Sequence, residues 1–317
     1  MWLWLLALLG LYLLYRWYRE RQILPNLPNK YVLITGCDSG FGSVLARQLD
    51  RRGLRVLAAC LTQRGAELLK EATSQRLQTI ILDVADSQSV AAAADWVKQQ
   101  VGVRGLWGLV NNAGIGTPVG PNEWLTKDDF VKVLNVNLVG VIDVTLSLLP
   151  LLRKAKGRLV NVSSILGRVA CTGGGYCISK HGVEAFSDSL RRDLRPFGVK
   201  VAIIEPSMFR TSIIDAQIIE QSYQRSWSRM PPEIKEIYGQ QYFEKRSKNV
   251  SHVVSGASSK LSLVTDCMEH ALIAVHPRTR YSVGWAAKLF YIPVSYLPTA
   301  LADVLLTRSS PKPAHTA

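Results

Sequence analysis

From residue 31 onward the chain alternates between two kinds of hydrophobic pattern. Six runs of five or six residues are rich in Val, Ile, Leu and Ala and read as buried strands: Tyr31–Thr35, Arg55–Cys60, Thr79–Val84, Leu106–Asn111, Arg158–Ser163 and Lys200–Glu205. Between them lie longer stretches whose apolar residues recur every three or four positions. Ser43–Arg52 and Ala66–Ser74 are two of these and read as helices. Strands alternating with helices pair in parallel through right-handed crossovers. The order therefore predicts the α/β class, with a doubly wound parallel sheet in a single domain.

Both ends depart from that pattern. Trp2 to Tyr15 are apolar without a break, and Trp17 and Tyr18 extend the run past Arg16. As a helix this is roughly 25 Å long against a hydrocarbon core of ~30 Å, so it either spans a thin membrane or lies partly embedded in one. So uniform a run has no polar face, which disfavours a buried core helix. Without a basic region before it or a small-x-small site after it, a cleaved signal peptide is also disfavoured. Residues 1–22 are expected to anchor the chain in lipid, with Arg16, Trp17, Tyr18, Arg19 and Arg21 at headgroup level. Those arginines place the bulk of the chain on the cytosolic side by the positive-inside rule.

Beyond Glu205 the strand–helix regularity is lost. Ile214, Ile218, Tyr223 and Trp227 recur at helical spacing, which suits either helices covering an apolar cleft or ordinary core packing. A helix through Val264–Val275 follows. The stretch Trp285–Leu306 contains Pro293, Pro298, Lys288 and Asp303, so a second membrane span is not expected; it reads as a membrane-contacting or gating tail, or as packing. The organisation is thus an anchor at 1–22, a nucleotide-binding catalytic core at 29–212, and a substrate-covering, membrane-proximal segment at 213–317 of the same domain.

With 48% hydrophobic and 20% charged residues, chain-wide disorder is excluded. Cys37, Cys60, Cys171, Cys177 and Cys267 form neither a CxxC pair nor a Cys/His cluster, so free thiols and no metal are expected. The net charge of +14 favours anionic partners. Its basic residues are spread along the chain without a nucleic-acid module, so a membrane surface and a phosphate-bearing cofactor are expected and nucleic acid is not. Asn161 and Asn249 head Asn-x-Ser sequons; Asn161 falls in a predicted core strand, leaving Asn249 to report lumenal exposure.

Three motifs carry chemistry. Gly36, Gly40 and Gly42 lie in the turn Thr35-Gly-Cys-Asp-Ser-Gly-Phe-Gly42 between the first strand and first helix. Glycines there allow a tight turn and let backbone approach a pyrophosphate at the positive end of the helix. Asn111-Asn-Ala-Gly114 closes the fourth strand. Tyr176 and Lys180 stand four apart on a predicted helix and so face one way. A free phenol, pKa ≈ 10, is a poor base at neutral pH, and a cation one turn away favours its phenolate.

In order and spacing, these motifs resemble the classical short-chain dehydrogenase/reductase family over roughly residues 29 to 212. Finer features, including Met1-Trp-Leu3, the turn at 36–42 and His276-Pro-Arg-Thr-Arg-Tyr281, resemble its microsomal retinol and 17β-hydroxysteroid dehydrogenase subgroup. The resemblance implies a Rossmann-type sheet and a catalytic set of Tyr176, Lys180, Ser164 and Asn137. Ser164, twelve residues before Tyr176, is favoured over Ser163 by alignment of Asn161-Val-Ser-Ser-x-x-Gly167, and it contacts substrate. Asn137 is the asparagine whose helix distortion holds a relay water, and neighbouring Asn135 is structural. Implied cofactor contacts are Gly36, Asp38, Ser39, Gly40, Phe41, Gly42, Asp83, Asn111, Ala113, Gly114, Tyr176, Lys180 and Thr211.

The choice of cofactor has a physical basis. The second strand ends Ala58-Ala59-Cys60-Leu61, with neither the usual acid nor a basic phosphate clamp. Asp38 puts negative charge in the turn and the nearest cation is Arg64, so NAD is expected over NADP. Two departures stand out: Pro206-Ser207 replaces the family's Pro-Gly, and Gly284-Trp-Ala-Ala-Lys288 lacks an acid that relatives carry at Ala286. The expected activity is oxidation of a lipophilic alcohol, all-trans-retinol or a 3α- or 17β-hydroxysteroid, at the endoplasmic reticulum membrane. Steroid-only activity and a non-enzymatic nucleotide-binding scaffold are the alternatives, and a homodimer is left open.

Overall fold

The computed structural model describes residues 2–315, with side chains at 4–248 and 254–315. The Met1 signature and the Asn249 side chain lie outside the described residues. Helix α1 (Trp2–Glu20) precedes the strand–helix body β1 (Tyr31–Thr35), α2 (Gly40–Arg51), β2 (Arg55–Cys60), α3 (Gln63–Glu71), β3 (Gln78–Ile81), α4 (Ser87–Val101), β4 (Gly108–Asn111), α5 (Lys127–Leu134), α6 (Gly140–Ala155), β5 (Arg158–Val162), α7 (Gly175–Asp193) and β6 (Lys200–Pro206). Then come α8 (Ala216–Arg229), α9 (Pro232–Tyr238), α10 (Gln240–Ser255), α11 (Ser262–Ile273), β7 (Arg280–Val283), α12 (Ile292–Val294) and α13 (Thr299–Thr307).

All strands are parallel, in the order β3-β2-β1-β4-β5-β6-β7, so the chain reverses its direction of travel between β1 and β4. Alternate residues feed opposite cores. Val32 and Ile34 pack with Leu45 and Leu49 of α2 and Met268 and Leu272 of α11, whereas Leu33, Leu57 and Leu109 pack with Val97 of α4 and Leu148 and Leu152 of α6. Continuously apolar strands are what burial on both faces demands.

Several elements differ from expectation. Helix α2 starts at Gly40, not Ser43, because the glycines themselves form its first turn. Strand β3 stops at Ile81, so Asp83 lies in the loop beyond it. Strand β4 starts at Gly108, not Leu106. A seventh strand, β7, was not expected because Arg280-Tyr-Ser-Val283 is short and half polar; it follows an edge pattern with Tyr281 and Val283 buried.

Among the described residues, the one helix long and apolar enough to cross a membrane is the run Lys127–Ala155. It is a core helix, burying Val133, Val141, Val144, Leu148 and Leu152. Helix α1 has the opposite character: Trp4 is 77% exposed, and Leu5, Leu8, Leu11 and Leu14 each exceed half. Among the described residues it is tied to the body at its end, where Arg278 pairs with Glu20 and His270 Nε2 lies 2.8 Å from the Glu20 carbonyl.

Candidate active site

The carboxyl ends of β1, β4, β5 and β6 open onto a cleft of about 390 Å³ at the point where strand order reverses. Its floor is the glycine turn. Gly36 has φ +70°, and a Cβ there would stand 2.8 Å from Ala113 Cα; one at Gly42 would stand 2.2 Å from the Gly36 carbonyl oxygen. Gly42 therefore closes the turn on itself and does not line the cleft, unlike Gly36, Ser39, Gly40 and Phe41. Ser39 gives α2 no side-chain cap; its hydroxyl meets that of Ser212 at 3.1 Å, and the first N–H groups of α2 stay free for an anion. The turn fits a pyrophosphate.

Asp38 does more than add charge. Its carboxylate accepts from Leu61 N–H at 2.7 Å, Thr62 N–H at 2.9 Å and the Thr62 hydroxyl at 2.7 Å. An acid from the turn thus stands at the end of β2, where the sequence showed none. Gly65 makes room, since a Cβ there would approach within 2.4 Å of Asp38 Oδ1. Arg64 is exposed and does not line the cleft. Asp83 lines it, while one of its oxygens accepts from Ala85 N–H at 2.9 Å.

Within Asn111-Asn-Ala-Gly114 one expected contact is corrected. Asn111 is buried, its amide donating to Thr145 and to Asn161 at 2.8 Å each, so it ties β4 to β5 and α6 and does not reach the cleft. The adjacent Asn112 does, bracing the turn by donating to the Thr35 and Gly36 carbonyls at 2.9 and 3.1 Å. Successive strand residues point to opposite sides, so one position separates an internal brace from a cleft wall. Ala113, Gly114 and Thr211 line the cleft.

Tyr176 and Lys180 project from α7 on one side, with Lys180 Nζ 5.5 Å from the phenol ring centre. Lys180 is buried and donates to the Val162 carbonyl at 2.9 Å. Burial holds its pKa down to about 8, with Glu184 opposing the fall. Tyr176 is pushed up to about 12, chiefly by burial, while a hydrogen bond with the Ser164 hydroxyl pulls it down. Burial outweighs the lowering expected from a neighbouring cation and leaves the phenol above its ordinary value. Both serines line the cleft, but they face differently. Ser163 donates to the Lys180 carbonyl at 3.2 Å, leaving Ser164 as the hydroxyl beside Tyr176.

Asn137 sits in a π-helical turn, Asn135–Val139, the distortion expected of it. It accepts from Ile115 N–H and donates to the Ile115 carbonyl at 2.8 Å each, and donates to Ser179 at 3.2 Å. Asn137 is buried behind Gly114 and does not line the cleft itself.

Ser207, at the position of the usual glycine, has no left-handed backbone; its hydroxyl occupies space left by Gly284, where a Cβ would come within 2.2 Å. Glu205, fully buried just before it, is held by Arg280 at 2.8 Å, Arg168 at 3.2 Å and Ser282 at 2.6 Å. Ala286 is exposed. The sequence reading also missed the apolar walls: Ile115, Phe209, Ile213 and Ile214 line the cleft, and Tyr291 and Ile292 pack in the cluster that contains Tyr176. Among these only Ile214 had stood out, through its helical spacing.

A parallel sheet with a glycine turn at its switch point, facing a Tyr–Lys helix across one cleft, is the architecture of a dinucleotide-dependent oxidoreductase. The chain belongs to the short-chain dehydrogenase family, whose model, described as short chain dehydrogenase, matches residues 30–221. It is 62% identical over 314 residues to retinol dehydrogenase 16 of Homo sapiens and, to the same degree, to 17-beta-hydroxysteroid dehydrogenase type 6 of Homo sapiens, covering 99% of each chain in both comparisons. In fold it is similar to a short chain dehydrogenase/reductase from Burkholderia phymatum solved in complex with NAD, with a TM-score of 0.68 and 22% identity over 90% of this chain and 98% of that one.

Proposed function

We propose that this chain is a membrane-anchored, NAD-preferring dehydrogenase of a lipophilic alcohol, retinoid or hydroxysteroid. The observation that carries the reading is one cleft holding the Ser164 and Tyr176 hydroxyls above a glycine turn whose outer end is guarded by Asp38. NAD, when bound, supplies the hydride acceptor and a positive charge beside the phenol. Gly36, Gly40 and the start of α2 take its pyrophosphate, Lys180 and Thr211 its nicotinamide half, and Asp83 its adenine. Preference for NAD over NADP follows from charge: Asp38 and Asp83 line the cleft, and Lys180 is the one basic lining residue among those described. A 2′-phosphate at the end of β2 meets a carboxylate and no cation.

Tyr176 Oη removes the substrate hydroxyl proton, and Ser164 Oγ donates a hydrogen bond to the oxygen as charge develops on it. Burial keeps the phenol protonated until positive charge is added beside it, so proton transfer is coupled to a loaded site. Asn137 Oδ1 and Lys180 Nζ both stand close to Gly114, 3.2 and 3.8 Å from where a Cβ would be, which supports a part for the asparagine in relaying the proton from Lys180.

The walls of Ile115, Ile213, Ile214 and Phe209 suit an apolar alcohol. Residues 285–305 pack Ala287, Tyr291 and Ile292 in the cluster around Tyr176 and expose Trp285, Leu289, Tyr296, Leu301 and Val304, as a membrane-proximal cover would. Resemblance to the microsomal subgroup and the exposed leucines of α1 point to the endoplasmic reticulum membrane, and the arginines after them to a cytosolic body. The test is NADH and NADPH formation by membranes carrying the chain, given all-trans-retinol or 3α-androstanediol, beside Tyr176→Phe. NAD-dependent turnover that falls at least ~100-fold in the variant is expected. Turnover surviving in Tyr176→Phe overturns the mechanism, and nucleotide binding without turnover of either alcohol favours a scaffold.

A further inference from the structure

The foot of α1 gathers cations, and the carboxylate there, Glu20, is taken by Arg16 and Arg278. Arg19 Nη2 lies 3.0 Å from His276 Nδ1. Lys200 Nζ donates to the Val275 carbonyl at 2.8 Å, and Arg158 Nη2 to that of Ala274 at 3.4 Å. Lys30 Nζ stands 3.4 Å over the Trp107 ring, with the Arg158 guanidinium 4.9 Å from the same ring. The parallel topology brings them together, because Lys30 precedes β1, Arg158 opens β5 and Lys200 opens β6, all at the amino-terminal end of the strands.

What offsets them is the carboxyl end of α11, which carries roughly half a negative charge. Trp107 Nε1 takes its Leu272 carbonyl at 3.0 Å, and Arg158 and Lys200 take the next free ones. Among the described residues none of Arg19, Lys30, Arg158 and Lys200 pairs with a carboxylate. Arg158 is 4% exposed, and its Nε is buried with no partner. Burial, and then the neighbouring Arg158, hold Lys30 below the usual lysine range, and burial, Arg158 and Arg19 do the same to Lys200. Arg158 is the buried member and Lys200 the exposed one, so the cluster opens to the surface, where an anion stabilises its unpaired charge.

We propose that this cluster binds the phosphate of an acidic phospholipid headgroup in the bilayer that α1 enters. Arg19 belongs both to the cluster and to the belt of α1, where Arg21 lies 3.9 Å over the Trp17 ring and Arg19 bonds Tyr15 at 3.1 Å, so the cluster sits at headgroup level. The cluster is compact, not a stripe, which suits one phosphate group over a polyanion. The proposal rests on the anchoring reading only for the carrier of the phosphate.

The full chain in dodecyl maltoside micelles is titrated with dioctanoyl phosphatidylglycerol, dioctanoyl phosphatidylcholine or inorganic phosphate, reading thermal unfolding. Phosphatidylglycerol is expected to raise the unfolding temperature saturably and phosphatidylcholine not to. Each cation near a headgroup contributes a factor of about five, so Lys30→Gln with Lys200→Gln weakens the apparent Kd about 25-fold. Lys70→Gln with Lys127→Gln removes the same charge from exposed positions on α3 and α5 and leaves the Kd unchanged. If the first pair does not fold, Lys200→Gln alone is expected to give about fivefold. An equal response in both double variants overturns the site, and inorganic phosphate matching the lipid at equal concentration overturns the lipid as its ligand. Anchoring is read separately, by co-sedimentation with phosphatidylcholine vesicles, so its failure is distinguishable.

Discussion

Lys180→Met is expected to abolish turnover and yet stabilise the protein without nucleotide. A buried lysine lowered from 10.5 to about 8 carries a charge the interior disfavours. At ~1.36 kcal/mol per pH unit that burial costs about 3 kcal/mol at neutral pH. Methionine removes the charge at similar volume but strands the Val162 carbonyl, whose bond from Lys180 is 2.9 Å, at a cost of about 1 kcal/mol. The net gain is about 2 kcal/mol, or on the order of 4 °C in Tm for a chain of this size.

The pH dependence has a definite sign. Below pH 8 the lysine is charged in both states and the penalty is whole. Between about 8 and 10.5 the unfolded chain binds more protons than the folded one, so wild-type stability rises relative to the variant and the gap closes. Thermal unfolding of the detergent-solubilised full chain at pH 7, 8, 9 and 10 reads both effects. A variant less stable than wild type at pH 7, or a gap unchanged to pH 10, would refute the reasoning.

Other consequences are as direct. Asp38→Asn keeps side-chain oxygen at the end of β2 but removes its charge, so the kcat/KM ratio of NADP to NAD is expected to rise about tenfold; an unchanged ratio removes Asp38 as the selector. Asn137→Ala loses the bonds to Ile115 and Ser179 and leaves those groups buried, costing about 2–3 kcal/mol in urea unfolding and lowering kcat more than it raises KM. Gly42→Ala forces a Cβ to within 2.2 Å of the Gly36 carbonyl and 2.7 Å of Asn112 Nδ2, so nucleotide binding by fluorescence is expected to be lost even where the chain folds.

Where the reading held, the signal was local. Six strands, the glycine turn and the Tyr176–Lys180 pair each declare themselves within a few residues, because period, turn chemistry and i,i+4 spacing are short-range properties. The misses share an opposite cause. Strand β7 is defined by pairing with β6 and not by its own composition. Asn111 and Asn112 are chemically equal, and only the pleat decides which one reaches the cleft. Spacing suggested that Lys180, together with the positive nicotinamide ring, favours the Tyr176 phenolate, but burial, which no spacing encodes, raises the phenol's pKa.

Sequence by itself determined the layer order, the glycine turn and the placing of Tyr176 and Lys180 on one side of a helix, since each follows from backbone preference and side-chain periodicity over one element. Tertiary structure alone decided that Asp38 reaches across 24 residues to guard the end of β2 and that Gly65 and Gly284 clear space for Asp38 and Ser207. It also decided that Tyr291 packs in the cluster around Tyr176, and that Arg158 and Lys200 meet the end of α11 at the foot of α1. Those are meetings of side chains far apart along the chain, and close packing of both sheet faces is what brings them into contact.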